Sequence, residues 1–384
     1  MSMILAGLDN DRFQPVVVCP DESPMMKMIR GLKVRTLGLQ PLEARFTWRP
    51  DLVIRYLLSF ARAIRRARRV VIDEAPDVIH ANSIRAGLVM AAATLGLDMP
   101  VIWHAHDILP RHPLSTAVRL FAAVTSRNRI LAVSQAVADR FRGFVLRPLR
   151  KRVPITVIHN SVDLERFQPN AQSRAEIRRA LGLSENQTVI GIVGQLTPRK
   201  GQLELIEAFA SADVKEAVLI IAGTALFNRD AEYAEQLECT VASLGIAGRV
   251  RFLGSRDDVP KLMQSMDVLV VNSHQEPFAL TVLEGLSSGT AILATAVGGT
   301  PEMVRHGECG WLVPAKDHDA LVEAMLTLVR DEQLRRELGR NGRRVAVERF
   351  SISRFLSEVE DLYRGVMPQH EEKALKFEVK LRPE

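Results

Sequence analysis

With 384 residues, of which 47% are hydrophobic, the chain is too long for a single core and predicts two globular domains. Aromatic residues make up only 5% of the chain, which argues against a surface that stacks on nucleic-acid bases. The three cysteines are scattered and form neither a metal-ligand pair nor a disulfide framework. No apolar run reaches the roughly 18–20 residues of a membrane-spanning helix. The net charge of +6 is unevenly distributed, because residues 1–170 carry 25 basic against 14 acidic residues, which predicts an anionic surface or ligand for this half.

The first half alternates short β-branched runs with amphipathic stretches. This alternation predicts a parallel sheet covered by helices. The predicted strands span 14–20, 77–82, 100–107, 129–134 and 155–160, and the clearest helices span 51–73 and 113–126.

Two segments of this half mix basic and apolar residues, RYLLSFARAIRRARR at 55–69 and RFRGFVLRPLRKR at 140–152. Such a mixture is typical of segments that lie on an anionic membrane surface. The alternative is an ordinary amphipathic helix with a solvated basic face. No nucleic-acid-binding motif is recognised, so we expect no nucleic-acid partner. The scattered cysteines predict a cytoplasmic location, and the basic segments add the inner face of the cytoplasmic membrane as an alternative.

A polar break at 167–173, FQPNAQS, precedes a second region with the same alternation, which predicts a second doubly wound sheet. Its predicted strands span 188–194, 217–223, 249–254, 267–273 and 290–299, and its helices span 201–212, 230–244 and 278–288. From about 317 the chain is predicted to be helical, with a charged, loosely ordered tail.

We therefore predict an N-terminal Rossmann-like domain at 1–168 and a C-terminal Rossmann-like domain at 169–350. A final helix and tail at 351–384 are predicted to pack back on the first domain. Two such α/β domains place a cleft between them, and ligands of open parallel sheets bind beyond the carboxyl ends of the strands. Polar and glycine residues at those ends are therefore the candidates for a functional site.

The segment HQEPFALTVLEGLSSG at 274–289 is the first candidate. Pro277 suits the first position of a helix, so the N–H groups of Phe278, Ala279, Leu280 and Thr281 would form an anion site suited to phosphate. Glu284, two turns further, would accept the two vicinal hydroxyls of a ribose, and Glu276 would accept sugar hydroxyls. The alternative is that Glu276 complements the helix dipole and Glu284 is a solvated helix residue.

The segment GIVGQLTPRKGQ at 191–202 places Arg199 and Lys200 between a strand and a helix. Arg binds phosphate oxygens in bidentate fashion and Lys adds a point charge. The segment matches neither a Walker loop nor the glycine fingerprint of dinucleotide sites. A third element is the Gly298–Gly299 turn, where the backbone can approach a ligand; the alternative is a plain turn.

Together these stretches resemble the retaining glycosyltransferase family 4, whose fold is GT-B, with two Rossmann-like domains facing across a cleft. The resemblance rests on Glu276 and Glu284 with PFALTVL between them, on RKG after GIVGQLTP, on the GGTPE turn and on GECGWLVP. HAHD, AVSQAVADRF and VIHNSVDLERFQP resemble the middle motifs of the family, and the match covers roughly residues 75–350.

The resemblance implies transfer of a sugar from a nucleotide diphosphate sugar, with retention of anomeric configuration, to a saccharide or lipid-linked acceptor of cell-envelope or exopolysaccharide synthesis. A UDP-sugar is favoured as the donor, with GDP-mannose as the alternative. The implied catalytic residues are His106, Lys200 and Glu276, and His104 is a second candidate on the same strand face. The implied donor-binding residues are Arg199, Lys200, Gly223, Leu253, Glu276, Phe278, Ala279, Leu280, Thr281 and Glu284.

The resemblance implies neither a metal ion nor a cofactor. Of the two D-x-D matches, Asp9–Asp11 is predicted to be a helix-to-strand turn and Asp317 a helix N-cap. The first strand and glycine loop of the family have no counterpart, because residues 3–8 resemble the end of the helix that follows them. Two alternatives follow, a catalytically impaired nucleotide-binding or partner-binding paralogue, and a sugar-nucleotide epimerase of the same fold.

Overall fold

The computed structural model describes residues 1–20, 23–29, 31–32, 34–39, 50–123, 127–143, 153–226 and 228–367. It has two α/β halves, which confirms the predicted class. The strands of the N-terminal half are β1 (Val16–Pro20), β2 (Arg35–Leu39), β3 (Ile79–Ala81), β4 (Val101–Ala105), β5 (Asn128–Ala132) and β6 (Ile155–Val157). Its helices are α1 (Ser2–Gly7), α2 (Pro24–Ile29), α3 (Pro50–Glu74), α4 (Ile84–Ala93), α5 (Pro113–Ala122) and α6 (Gln135–Arg142).

The strands of the N-terminal half form two parallel sheets, with orders β1-β2 and β3-β4-β5-β6. No described strand joins the two sheets. Helix α1 connects their cores instead. Its Leu5 packs with Met26 and Ile29 near the small sheet, whereas Ile4 and Leu8 pack in the core of the larger sheet.

The C-terminal half contains one six-stranded parallel sheet of order β12-β11-β10-β7-β8-β9. Its strands are β7 (Thr188–Val193), β8 (Ala217–Ala222), β9 (Val250–Gly254), β10 (Val268–Val271), β11 (Ala291–Thr295) and β12 (Trp311–Val313). The helices are α7 (Ala171–Ala180), α8 (Gln202–Ala212), α9 (Asn228–Ser243), α10 (Val259–Ser265), α11 (Leu280–Ser287), α12 (Thr300–Met303), α13 (His318–Arg330), α14 (Glu332–Arg349) and α15 (Ile352–Val366). The five predicted strands are present, and β12 is an addition of three residues.

The chain crosses between the halves twice, and the two crossings lie side by side. Val162 pairs with Ser351 and donates its N–H to the carbonyl oxygen of Phe350 at 3.0 Å. The Arg343 guanidinium donates to the carbonyl oxygens of Leu164 and Phe167 and so holds the first crossing in place. After the second crossing, α15 returns to the N-terminal half.

Helix α15 is strongly amphipathic and buries its apolar face on the four-stranded sheet. Phe355, Val359 and Tyr363 pack with Ile102 of β4 and Leu131 of β5. At the other end of the chain, Asp11 donates its N–H to the Asp9 carboxylate in the turn after α1, as predicted. The Asp317 carboxylate accepts the N–H of Ala320 as the N-cap of α13, which also confirms its prediction.

Within the described ranges, no helix combines the length and the apolar composition that crossing a bilayer requires. Helix α3 packs its inner face, including Phe60, Ile64 and Ala67, on α4. The outer face carries exposed arginines of the basic segment predicted at 55–69, whereas Arg68 of that segment donates to the carbonyl oxygens of Ala93 and Leu95. The second predicted basic segment, 140–152, lies outside the described residues from position 144 onward.

Candidate active site

The ends of two adjacent strands bring together the charged residues predicted from 191–202 and 274–289. Strand β7 pairs with β10, so the segments that follow them meet at one edge of the sheet. There Lys200 Nζ lies 2.6 Å from Glu276 Oε2, and Arg199 Nη1 lies 3.7 Å from the same oxygen. Ser273 Oγ also donates to Glu276, at 3.1 Å. The predicted phosphate-binding cations and the predicted sugar-binding carboxylate thus form one cluster.

The exposure of this cluster decides which groups can meet a ligand. The Glu276 side chain is 9% exposed, the Lys200 side chain 19% and the Arg199 side chain 46%. Arg199 also donates to the carbonyl oxygen of Gln275 at 3.0 Å, which positions its guanidinium at the rim. Ion pairs with these two cations offset part of the hydration that the Glu276 carboxylate loses on burial.

The prediction that Pro277 is the first residue of a helix is wrong. Helix α11 begins at Leu280, with Ala279 as its N-cap. The carbonyl oxygens that would accept the first hydrogen bonds of such a helix already have other donors. The Gly299 N–H donates to the Glu276 carbonyl oxygen at 3.1 Å, and Ser134 Oγ donates to the Pro277 carbonyl oxygen at 2.8 Å. The helix therefore begins three residues later, after a bend at residues 277 and 278.

The N–H groups predicted to bind phosphate are nevertheless available. Within the described residues, no hydrogen bond uses the N–H groups of 278–281. The side chains of Phe278 and Ala279 are buried, which anchors this segment, whereas Leu280 at the start of α11 is exposed. The four N–H groups follow Glu276 in the chain within five residues. This arrangement suits an anion with several oxygens.

Glu284 lies on α11 and is half-buried. Burial raises its pKa, and the nearby positive charge of Arg166 acts in the opposite direction. No hydrogen bond to the Glu284 carboxylate exists among the described residues. A carboxylate that is desolvated but has no fixed donor is suited to accept hydrogen bonds from the hydroxyl groups of a ligand.

Gly223 and Gly298 are required by close backbone contacts. Gly223 follows β8 with φ of 145°, and a Cβ there would lie 1.8 Å from the carbonyl oxygen of Gly194, where the segment leading to Lys200 begins. Gly298 has φ of 53°, and its Cβ would lie 1.8 Å from the carbonyl oxygen of Glu276. Both glycines thus allow two turns to meet at the site. Leu253 is partly buried on the edge strand β9.

His106 follows the end of β4 on the opposite side of the cleft. Its Nε2 lies 3.0 Å from Asn82 Oδ1, and its ring is 3.9 Å from that of His104, centroid to centroid. His104 is 1% exposed, whereas His106 is half-buried. The two rings share one strand face, as expected, and His106 is the more accessible. Burial lowers the pKa of His106, as does the N-terminal amine, so it is neutral at pH 7.

The segment after His106 reaches the C-terminal half. A methyl carbon of Ile108 lies 3.3 Å from the Cβ position at Gly298, next to the backbone of Glu276. No described hydrogen bond or ion pair joins His106, Glu284 or Leu253 to the Lys200–Glu276 pair. Their places in one donor site therefore remain predictions, whereas Arg199, Lys200 and Glu276 are in mutual contact.

One functional contact was not predicted. The Glu302 carboxylate of the GGTPE turn accepts the N–H groups of Gln135 and Ala136, at 2.7 and 2.9 Å, at the start of α6 across the cleft. It also lies 2.8 Å from His159 Nε2. Burial acts to raise the pKa of Glu302, but these hydrogen bonds outweigh it and lower the pKa. The partners are more than 140 positions apart, so no local pattern indicates the contact.

Known proteins resemble this chain in sequence and in fold. Residues 173–345 match the family described as Glycosyl transferases group 1, and residues 3–166 match Glycosyltransferase Family 4. The UDP-Gal:alpha-D-GlcNAc-diphosphoundecaprenol alpha-1,3-galactosyltransferase of Escherichia coli is 24% identical over 368 residues, with 93% of this chain and 90% of the relative covered. The D-inositol 3-phosphate glycosyltransferase of Salinispora tropica is 28% identical over 373 residues, covering 91% and 76%.

A solved structure with the same architecture is that of Anabaena HepE in complex with UDP and glucose. It is 26% identical, covers 94% of both chains and superposes with a TM-score of 0.77. The two family matches follow one another in order and together cover both halves of the chain. The protein therefore belongs to glycosyltransferase family 4 and has the two-domain GT-B fold.

Proposed function

We propose that the protein transfers a sugar from a UDP-sugar to a saccharide or lipid-linked acceptor, with retention of anomeric configuration and without a metal ion. The observation that carries the proposal is the cluster of Arg199, Lys200 and Glu276, which the segment 278–281 follows closely in the chain with N–H groups that no hydrogen bond among the described residues uses. Cations and N–H groups suit a diphosphate, and the carboxylate suits sugar hydroxyls. HepE, which shares the fold, has been solved with UDP and with UDP-glucose, which supports UDP over GDP-mannose as the donor nucleotide.

In this mechanism the residues act on charge that develops as the sugar leaves. Lys200 and Arg199 neutralise the departing diphosphate, which is electrostatic stabilisation of the transition state. Glu276 accepts hydrogen bonds from hydroxyls of the transferred sugar and holds it against the diphosphate. His106, neutral and at the opposite wall, accepts a hydrogen bond from the sugar or the incoming acceptor hydroxyl. Attack on the face that the diphosphate leaves, through an oxocarbenium-like transition state, retains the configuration.

The reaction is tested by incubating the chain with UDP-sugars and candidate acceptors and analysing the products. Transfer with retained configuration, seen by NMR of the product, and unchanged by EDTA, is the expected result. An altered sugar on the nucleotide would identify an epimerase. Nucleotide binding without any turnover would identify a binding paralogue, and inverted product or complete loss with EDTA would contradict the mechanism.

Glu284→Ala is expected to weaken UDP binding by about 1–3 kcal/mol, because the ribose hydroxyls lose a buried acceptor. Titration calorimetry with UDP, GDP, ADP and CMP measures the loss and identifies the preferred base. Glu332→Ala is the matched control, since that carboxylate is 63% exposed on α14 and should leave affinity unchanged. Equal affinity in wild type and Glu284→Ala would refute the ribose assignment.

We further propose that α3 places the protein on the inner face of the cytoplasmic membrane. Ile54, Leu57 and Leu58 are each 58% exposed although their helix packs on α4 through another face. The following turns expose four arginines, Arg62, Arg65, Arg66 and Arg69. Apolar side chains beside a basic patch are the composition of a helix that lies in an anionic bilayer interface.

Binding to vesicles containing phosphatidylglycerol should fall as salt rises, because surface charges are screened. Replacing both Leu57 and Leu58 by Gln should weaken binding on the order of tenfold, from lost apolar burial. The control is Leu244→Gln, at a residue that is 43% exposed in the C-terminal half. Sedimentation with vesicles provides the measurement. Equal binding to vesicles of neutral lipid, or no effect of the leucine changes, would argue against this surface.

A further inference from the structure

A line of polar side chains connects the C-terminal helix to His106. The Tyr363 hydroxyl lies 2.7 Å from Nδ1 of His80, which is on β3. Nε2 of His80 lies 3.1 Å from Nδ1 of His104 on the neighbouring strand β4. The His104 ring then lies against the ring of His106, with centroids 3.9 Å apart and planes tilted by 33°. Four aromatic side chains thus run from α15 to the cleft.

The members of this line are uncharged. Burial is the main cause that lowers the pKa of His80 to about 3, and it also lowers the pKa of His104 well below its usual range. Burial raises the pKa of Tyr363, so its hydroxyl keeps its proton. Each histidine therefore has one N–H donor and one bare nitrogen acceptor, and the contacts decide which nitrogen is which.

The number of groups left without a hydrogen-bond partner favours one order of donors and acceptors along these side chains. If the Tyr363 hydroxyl donates to His80 Nδ1, then His80 Nε2–H donates to His104 Nδ1. The remaining His104 Nε2–H is then the single unsatisfied group, since Nε2 is buried without a partner among the described residues. In the opposite direction, His104 Nδ1–H donates to His80 Nε2, and His80 Nδ1–H donates to the Tyr363 oxygen. The Tyr363 hydroxyl proton and the bare His104 Nε2 then both lack a partner, which costs more free energy.

His106 is held from its other side by Asn82. Because Asn82 Oδ1 can only accept, His106 Nε2 carries the proton and donates to it at 3.0 Å. His106 Nδ1 is therefore a bare acceptor, and no hydrogen bond from a described residue reaches it. The ring plane that aims Nδ1 is set by Asn82 at one nitrogen and by the His104 ring against its face.

We propose that Tyr363 is a positioning residue, which orients His106 through His80 and His104 so that Nδ1 is available to a sugar or acceptor hydroxyl. The inference rests on the proposed function, since it assigns His106 a hydrogen bond in the transfer reaction. It gives α15 an indirect role in catalysis. Tyr363 itself touches neither substrate nor reacting atoms.

The test compares Tyr363→Phe with Tyr233→Phe. Both tyrosines are 6% exposed and hydrogen-bonded, but Tyr233 bonds to the start of α8 in the other half. Tyr363→Phe should lower kcat about tenfold with little change in KM for the donor. The His106 ring would then be misoriented toward the reacting hydroxyl, while the donor would still be bound. Tyr233→Phe should leave kcat unchanged.

A second readout does not depend on activity. The ¹⁵N shifts of the histidine ring nitrogens report their tautomers, and Tyr363→Phe should change those of His80 and His104 while Tyr233→Phe does not. His80→Gln, which can still accept and donate, should keep more activity than His80→Leu. The proposal would be overturned if Tyr363→Phe kept the wild-type kcat and unchanged histidine ring shifts. It would also be overturned if this variant lost stability while the ring shifts stayed unchanged. If wild type transfers no sugar, the shifts still test the line while the proposed function fails.

Discussion

Lys200→Ala is expected to lower kcat for sugar transfer by about 10²–10³-fold, the usual effect of removing one preorganised donor from a site of developing negative charge. The Lys200 ammonium is largely buried and lies 2.6 Å from Glu276. Its removal takes away one of the two cations proposed to neutralise the leaving diphosphate, and it leaves the Glu276 carboxylate with Arg199 at 3.7 Å. Initial rates at saturating donor provide the measurement.

The matched control is Lys261→Ala, whose ammonium is 56% exposed and forms a loose ion pair with Glu176. Its removal should leave kcat unchanged. Lys200→Arg separates charge from shape, because it keeps the positive charge but changes the donor geometry. It should recover only part of the lost rate. A Lys200→Ala enzyme within threefold of wild type would contradict a role for this residue in stabilising the leaving group.

Asp267→Ala is expected to destabilise the C-terminal half by about 3–5 kcal/mol, because it leaves a buried guanidinium without its counter-ion. Arg178 is fully buried, and its Nη2 lies 2.6 Å from Asp267 Oδ2. The same carboxylate accepts a hydrogen bond from Arg174 at 2.6 Å and from the N–H of Val189 at 2.7 Å. It therefore ties α7 to the start of β7. Urea denaturation followed by circular dichroism measures the loss.

Asp98→Ala serves as the control for this prediction. Asp98 pairs with Arg127 in the N-terminal half, but its side chain is 78% exposed. An exposed pair contributes about 0–1 kcal/mol, so the midpoint of denaturation should change little. Comparable losses for Asp98→Ala and Asp267→Ala would show that burial of Arg178 does not determine the stability of this half.

Most of the fold could be predicted because parallel strands buried on both faces are continuous apolar runs. AVLIIA at β8 and VLVV at β10 are examples, and each lies inside its predicted range. The placement of Lys200 and Glu276 at one edge of the sheet was predictable from the same pattern, since each lies in the segment that follows a strand, but their direct contact was not predicted. The strand β2, RTLGL, was not predicted, because a glycine and two polar residues interrupt its apolar pattern.

The parts of the site that were missed depend on partners distant in sequence. Pro277 has a residue type suited to a helix start, but Ser134 and Gly299 bind the carbonyl oxygens that a helix would need. Glu302 likewise acquires its role from α6, more than 160 positions away. Local propensity contains no information on such contacts, and tertiary hydrogen bonds override it.

The paired crossings have a mechanical consequence for the enzyme. Because Val162 and Ser351 are bridged, the two covalent links between the halves act as one hinge ribbon along one side of the molecule. The halves can rotate about this ribbon, which opens or closes the space between them. If the halves slid past each other, the hydrogen bond from the Val162 N–H to the Phe350 carbonyl oxygen would break. Glu302 binds His159, just before the first crossing, and its carbonyl oxygen accepts from Arg349, next to the second, while its carboxylate accepts the N–H groups at the start of α6. The contact of the GGTPE turn with α6 therefore lies beside the hinge, and a rotation of the halves has to displace it.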